Sequence, residues 1–176
     1  MSELVPTIET ERLLLRGWRN ADLAPFSEAF GDAVHSRYIG GPLSSPLECW
    51  RRLVGFAGHW MLNGYGMFAL EEKATGRFAG WCGPWYPVDF PETELSYTLH
   101  PAMQGRGMMH EAASAAKDWW FTRPGACTLV SYIHPDNARS VVVAKSMGAT
   151  HVGPIELRGT TVGIWRYPPP AASATS

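Results

Sequence analysis

The stretch TELSYTLH, residues 93 to 100, sets Leu95, Tyr97 and Leu99 against Glu94, Ser96, Thr98 and His100. A period of two places the apolar set on one face of an extended chain, which predicts a half-buried strand. PAMQGRG (101–107) follows with two glycines, and then MMHEAASAAKDWWF (108–121), whose composition predicts a helix. CTLVSYI (127–133) reads as a further strand. A strand, a glycine loop, a helix and a strand in that order make a β-loop-α-β crossover, a unit that belongs in a sheet covered by helices.

The elements on either side fit that demand. RLLLRGW (12–18) is a short apolar run that predicts a strand, and Asn20 is a candidate helix cap ahead of Leu23, Phe26 and Phe30. HSRYIGGPLSSP (35–46) predicts a loop. Leu47, Trp50, Leu53, Val54, Ala57 and Met61 recur at helical spacing and predict an amphipathic helix capped by Ser44 or Ser45. YGMFALEE (65–72) and RFAGWCG (77–83) predict a hairpin about KATG. Asn137 to Met147 predicts a helix ended by Gly148, and TTVGIWRY (160–167) a last strand. The expected class is α/β, a mixed and mostly antiparallel central sheet flanked by helices. One domain spans residues 1–168, and a disordered tail occupies 169–176.

Composition narrows the function. Fifteen basic against sixteen acidic residues give a formal charge of −1, which supplies no basic face for nucleic acid and disfavours a tRNA-acting chemistry. Cys49, Cys82 and Cys127 are scattered without CxxC spacing, as expected of reduced intracellular thiols. The N-terminal MSELVPTIETERLLLR lacks the apolar core of a secretion signal. LVGFAGHWMLNGYGMFAL (53–70) has no acidic or basic side chain, but four glycines and the turn NGYG interrupt it as a membrane span. A soluble cytoplasmic protein without membrane contact is the expectation.

Backbone N–H groups that run into a helix N-terminus are unpaired and lie at the positive end of the dipole, so such a loop can hold an anion. Gly105 and Gly107 would let the backbone approach a phosphate with no Cβ in the way, and Arg106 could add a charge contact. The same glycines also suit a plain strand-to-helix turn, and spacing alone does not choose. A dinucleotide fingerprint fails because no third glycine follows at the required spacing. A P-loop fails because no Gly-Lys-Ser/Thr occurs. His110-Glu111 begins a zinc-protease motif, but position 114 is serine, and the six histidines show no ligand spacing, so no metal is expected.

QGRGMMHEA, placed after ELSYTLHPAM, resembles the acyl-CoA loop of the GNAT superfamily of N-acetyltransferases, whose pattern is Gln/Arg-x-x-Gly-x-Gly/Ala. Gln104 and Gly107 match, and Met109 stands where a small residue is usual. TERLLLR (10–16) resembles the first strand of the ribosomal-protein N-terminal acetyltransferase branch (RimJ/RimL-like), and EAASAA continues the helix as that branch does. HPDNARSVVVAKSMGA (134–149) resembles its second motif, Asn-x-x-Ser followed by Lys and Gly. The resemblance implies that the strand at 93–100 splays from the strand at 127–133 and that the pantetheine arm of acetyl-CoA lies in the gap. Backbone groups of Tyr97, Thr98 and Leu99 would meet the pantetheine, the N–H near Leu99 polarising the thioester carbonyl. Gln104 would lead the loop, and the N–H groups of Gly105, Arg106, Gly107, Met108, Met109 and His110 would hold the pyrophosphate. Asn137 would cap its helix and touch the CoA arm.

Acyl transfer from a thioester to an amine needs a base for the amine, a donor for the carbonyl oxygen and a proton for the leaving thiolate. Glu94, on the polar face of the strand that leads to the loop, is the candidate base; a solvated strand-face charge is its alternative reading. Ser140 matches the serine that the resemblance implies as acid, with a first-turn hydroxyl bonding the backbone as the alternative. The tyrosine that serves as acid in many members falls at Ala144. His134, Tyr132 and Glu156 are further candidates. Trp60, Trp81, Trp85, Tyr86 and Phe90 fall in segments expected to flank the acceptor. The aromatics of the connection WYPVDFPE favour an acceptor with an apolar or aromatic portion over a polycation. The expected acceptor is an amine-bearing small molecule, as in amino-acid or drug detoxification, or a protein N-terminus, and a homodimer is left open. A second class, an acyl-CoA-binding module without turnover, stays in view because of Ala144 and Met109.

Overall fold

In the computed structural model, which describes residues 4–170, the chain begins with β1 (Ile8–Glu9), β2 (Leu13–Arg16), α1 (Leu23–Gly31), α2 (Ala33–Ser36) and α3 (Pro46–Asn63). It continues through β3 (Phe68–Glu72), β4 (Phe78–Trp85), β5 (Glu94–Leu99), α4 (Met108–Phe121) and β6 (Val130–Ile133). It closes with α5 (Ala138–Ser146), β7 (Thr150–Leu157) and β8 (Thr160–Arg166). Most of the expected tail, residues 171–176, lies outside the described residues. All eight strands share one open sheet in the order β1-β2-β3-β4-β5-β6-β8-β7, antiparallel at every pair except β5 with β6. The architecture is the mixed α/β sheet, mostly antiparallel and flanked by helices, that the pattern predicts.

Two helix layers cover the sheet. On one face Ala112, Ala113 and Ala116 keep α4 small-sided, so it sits close on Leu95 and Leu99, with Ala144 and Met147 of the α5 region beside it. On the other face Phe26 and Phe30 of α1 and Phe56 of α3 pack on Trp81, whose ring lies 5.0 Å from Phe26 and 5.1 Å from Phe30. The buried Arg16 guanidinium ties β2 to Asp22 at 2.8 Å and to Glu71 at 2.7 Å, which fixes where α1 begins. Ser45 and Glu48 form a reciprocal capping box at the start of α3, and Gly64 in a left-handed conformation stops it.

Several expectations need correction. Asn20 caps no α-helix: Asn20–Asp22 is a 3-10 turn, and α1 starts at Leu23. The apolar stripe read on α3 is largely the outward one, with Leu47, Trp50 and Met61 at 53%, 48% and 69% exposure. Of that stripe Leu53 is buried, and Cys49, Phe56 and Trp60 are buried beside it, because the bulky aromatics find aromatic partners on α1 and the sheet. The strand expected from Cys127 begins only at Val130, where pairing with β5 starts. β7 was not anticipated. Its THVGPIEL is an exposed edge strand containing Pro154, and only the ladder with β8 makes it extended.

Candidate active site

β5 and β6 form a parallel pair only at Glu94 and Val130, where Val130 N–H donates to the Thr93 carbonyl at 3.1 Å. Beyond that point they separate. On its other edge β5 is laddered to β4 from Glu94 to Leu99. Backbone groups alternate between the two edges of a strand. Since His100 N–H donates to Ala79 of the β4 side, Leu95, Tyr97 and Leu99 turn their N–H and C=O groups toward the gap. Inside it, Ser131 Oγ donates to the Leu95 carbonyl at 2.6 Å. Thr98 departs from expectation: its carbonyl faces β4, where a Cβ on Gly80 would lie only 2.3 Å away, so its backbone is not offered to the gap.

The closed end of the gap is a crevice lined by Glu94, Ser96, Tyr97, Tyr132, Asn137 and Ser140, among others. Tyr38 and Ile39, from the loop after α2, and His134 form its rim, with the Tyr38 and His134 rings stacked at 5.2 Å. Glu94 is half-buried on the wall of this crevice. Burial raises its carboxyl to about 7, and the Tyr132 backbone N–H, the Arg158 charge and the Ser96 hydroxyl offset this only in part. Tyr97 crosses the gap, its Oη donating to the Ser140 carbonyl at 3.0 Å. Burial holds the Tyr97 phenol well above its ordinary value and pushes Tyr167 up to about 12; the Tyr167 and Ser131 hydroxyls are 2.8 Å apart. Burial likewise raises Tyr132 to about 12, and its hydroxyl is buried without a hydrogen-bond partner.

The open end is the loop that leads into α4. Gly105 and Gly107 have φ of +78° and +71°, a region that suits glycine, and nothing stands within 4 Å of where a Gly105 Cβ would be. Among the described residues, the N–H groups of residues 105–110 donate no hydrogen bond. Met108 and Met109 are buried in the core, so what they present here is backbone, and this is how a large residue fits where a small one is usual. Arg106 differs from expectation in that its guanidinium is already paired with Glu72 at 2.8 Å, while its carbonyl accepts from Arg12 at 2.7 Å. His110 Nδ1 meets Ser146 Oγ at 2.8 Å, joining α4 to α5.

Gln104 spans the mouth: its Oε1 accepts from Arg139 of α5 at 2.8 Å and its Nε2 lies 3.0 Å from His35 Nδ1 of α2. Asn137 caps α5 through Ser140 N–H at 3.3 Å. Glu94, Tyr97, Asn137 and Ser140 are thus brought together, and residues 104 to 110 form a second group at the other end. His134 reaches the rim, whereas Glu156 lies on β7 and bonds Thr161. Sequence reasoning missed Tyr38, Ser131 and Tyr167, which come from three separate elements and carry no local signal. Among the described residues no three His, Cys, Asp or Glu side chains converge as a metal-ligand set, and no helix is long and apolar enough to cross a membrane.

Residues 12–150 match the family model described as acetyltransferase (GNAT) domain. The chain is 33% identical over 146 residues to a protein of Bacillus subtilis (strain 168) called uncharacterized protein YkkB, covering 79% of this chain and 82% of that one. It superposes with a TM-score of 0.79 on the crystal structure of an acetyltransferase from Agrobacterium tumefaciens str. C58, at 32% identity over 93% of this chain and 94% of that one. The fold alone is shared with RimL, a ribosomal L7/L12 α-N-protein acetyltransferase solved in complex with coenzyme A. The TM-score there is 0.77 at 19% identity, over 93% of this chain and 98% of that one. The match of the family model across most of the described sheet and both helix layers identifies the chain as a member of the GNAT family of acetyltransferases.

Proposed function

We propose that the chain acetylates a primary amine, of a small molecule or a protein N-terminus, by direct attack on acetyl-CoA in a ternary complex in the cytoplasm. One observation carries the reading. The β5–β6 gap has a carboxyl group that titrates near 7 at its closed end and six free N–H donors of residues 105–110 at its open end. Acetyl-CoA, when bound, supplies an acyl group activated as a thioester. The chain's own residues do the rest.

The loop N–H groups and the start of α4 hold the pyrophosphate, since both are positive and unpaired. The gap-facing backbone of Tyr97 and Leu99 receives the pantetheine, and the Leu99 N–H stabilises the carbonyl oxygen as charge develops. Glu94 takes the amine proton, a task for which a value near 7 is well matched at neutral pH. Ser140, on the opposite wall with Tyr97 bonded to its carbonyl, supplies the proton to the departing thiolate. Asn137 holds the first turn of α5 in place. The Arg106 side chain and the Thr98 backbone have no part, being engaged elsewhere. A module that only bound acyl-CoA would gain nothing from a carboxyl whose proton affinity is raised to about 7, which favours turnover.

Calorimetric titration with acetyl-CoA and CoA, followed by release of CoA thiol against a panel of amines, tests this. Binding with amine-dependent thiol release is expected. No binding at millimolar CoA, or binding without turnover of any amine, would contradict it.

A further inference from the structure

Two guanidinium groups stand one residue behind the wall of the crevice. Arg52, on α3, lies with Cζ 5.3 Å over the Phe30 ring and packs against the loop after α2. A Cβ on Gly40 would meet its Nη1 at 3.3 Å and Nη2 at 3.4 Å, and Gly40 directly follows Tyr38 and Ile39, which form the crevice rim. Arg158, at the turn between β7 and β8, lies with Cζ 4.9 Å over Phe90. Phe90 in turn meets Tyr132, a wall of the same crevice, edge-on at 5.3 Å.

The two cations differ in what balances them. Arg158 is held by both oxygens of Asp89, at 2.6 and 2.8 Å. Arg52 has no carboxylate partner among the described residues; the groups acting on its charge are Arg158, which opposes it, and the Cys49 thiol. Burial and then Arg158 push its guanidinium down from the ordinary value. A half-buried charge without a counter-ion is costly, and proteins keep such groups paired unless a ligand completes them. The Tyr132 hydroxyl is a second buried group there without a partner.

We infer that the acceptor is a small amine that carries a carboxylate, an α-amino acid with an apolar or aromatic side chain, bound with its carboxylate toward Arg52 and its amine toward Glu94. The inference rests on the acetyl-transfer reading above and names its substrate class. A carboxylate matches the planar fork of a guanidinium, whereas a second cation would be repelled by the unbalanced Arg52. Arg158 also acts on Glu94, so positive charge behind the crevice wall is set against the carboxyl within it, as the two ends of a zwitterion require. Tyr38, Ile39 and Tyr132 of the crevice supply apolar surface for the side chain. The Asp89–Arg158 clamp ties the β4–β5 connection to the β7–β8 turn, which favours a small acceptor over an extended polypeptide.

The test compares matched pairs, phenylalanine with phenethylamine and leucine with isopentylamine, and adds C-terminally amidated peptides with free N-termini. CoA thiol release gives kcat/KM for each. The amino acid is expected to exceed its decarboxylated partner by at least about tenfold. Arg52→Gln is expected to lower kcat/KM for the amino acid at least about tenfold more than for the amine, and Arg52→Lys to restore part of the difference. Equal or better use of the decarboxylated amines overturns the inference, as does a preference for the peptides, or one that survives in folded Arg52→Gln. Should that variant fail to fold, the wild-type ratios still decide. Turnover of no amine by protein that binds acetyl-CoA is a different result, which overturns the acetyl-transfer reading itself.

Discussion

The two ends of the β5–β6 gap meet their tasks by opposite means. At the open end, residues 105–110 present backbone N–H groups that a helix start leaves unpaired in any case, so the site costs the fold little. At the closed end, Glu94 is half-buried at the expense of its own ionisation, among side chains from four segments of the chain. A binding surface can be built from one contiguous segment with fixed dipoles. A group tuned for proton transfer has to be surrounded, and the surroundings cost stability.

Breaking the open end is expected to give the largest change in binding or stability. Gly107→Val places a branched Cβ at a residue with φ of +71°, where side chains are strained, and shifts the donors at the start of α4. Affinity for CoA is expected to fall by roughly two orders of magnitude, the loss of a few charge-assisted hydrogen bonds, while the fold persists. Calorimetry paired with circular dichroism checks it. Full affinity in a folded variant would mean that the glycines serve the turn alone.

The closed end is expected to give a smaller effect, of opposite sign for stability. The folded value of Glu94, about 7, lies above its ordinary 4.5, so the native state holds the proton more tightly than the unfolded chain. Stability from this group is therefore complete below 4.5, falls as pH rises from 4.5 to about 7, and stays reduced above. Glu94→Gln, which cannot ionise, should be more stable than wild type above pH 7 by about 1–3 kcal/mol and nearly equal to it below 4.5. Urea unfolding at the two pH values measures this. Equal stability of the two proteins above pH 7 would mean that Glu94 is solvated after all.

The same contrast governs what could be read before the fold was known. Period-two alternation located β5 and the face that bears Glu94, and the glycines located the loop, because both signals lie within a few consecutive residues. The resemblance to GNAT enzymes supplied the splay, which no local pattern encodes. Alternation does not say which strand edge is open, and so it left Thr98 grouped with Tyr97 and Leu99 although its carbonyl is pressed against Gly80. The inward face of α3 is not legible locally, because Trp50 and Met61 are as apolar as Phe56 and Trp60, and the partners that choose between them are on α1 and the sheet. Arg52, Arg158 and Tyr38 converge from distant positions, and no spacing rule joins them. β7 stayed hidden because an exposed edge strand with a proline carries no apolar pattern.

The account turns on Glu94 as the base, and the pH dependence of kcat/KM for the acceptor in wild type and Glu94→Gln tests it most directly. Wild-type kcat/KM should rise as pH passes through about 7, where the Glu94 carboxyl loses its proton. The variant should be slower by roughly two to four orders of magnitude at neutral pH, with the gap narrowing at high pH as the amine itself becomes free. Two parallel profiles, differing little at neutral pH, would contradict the assignment.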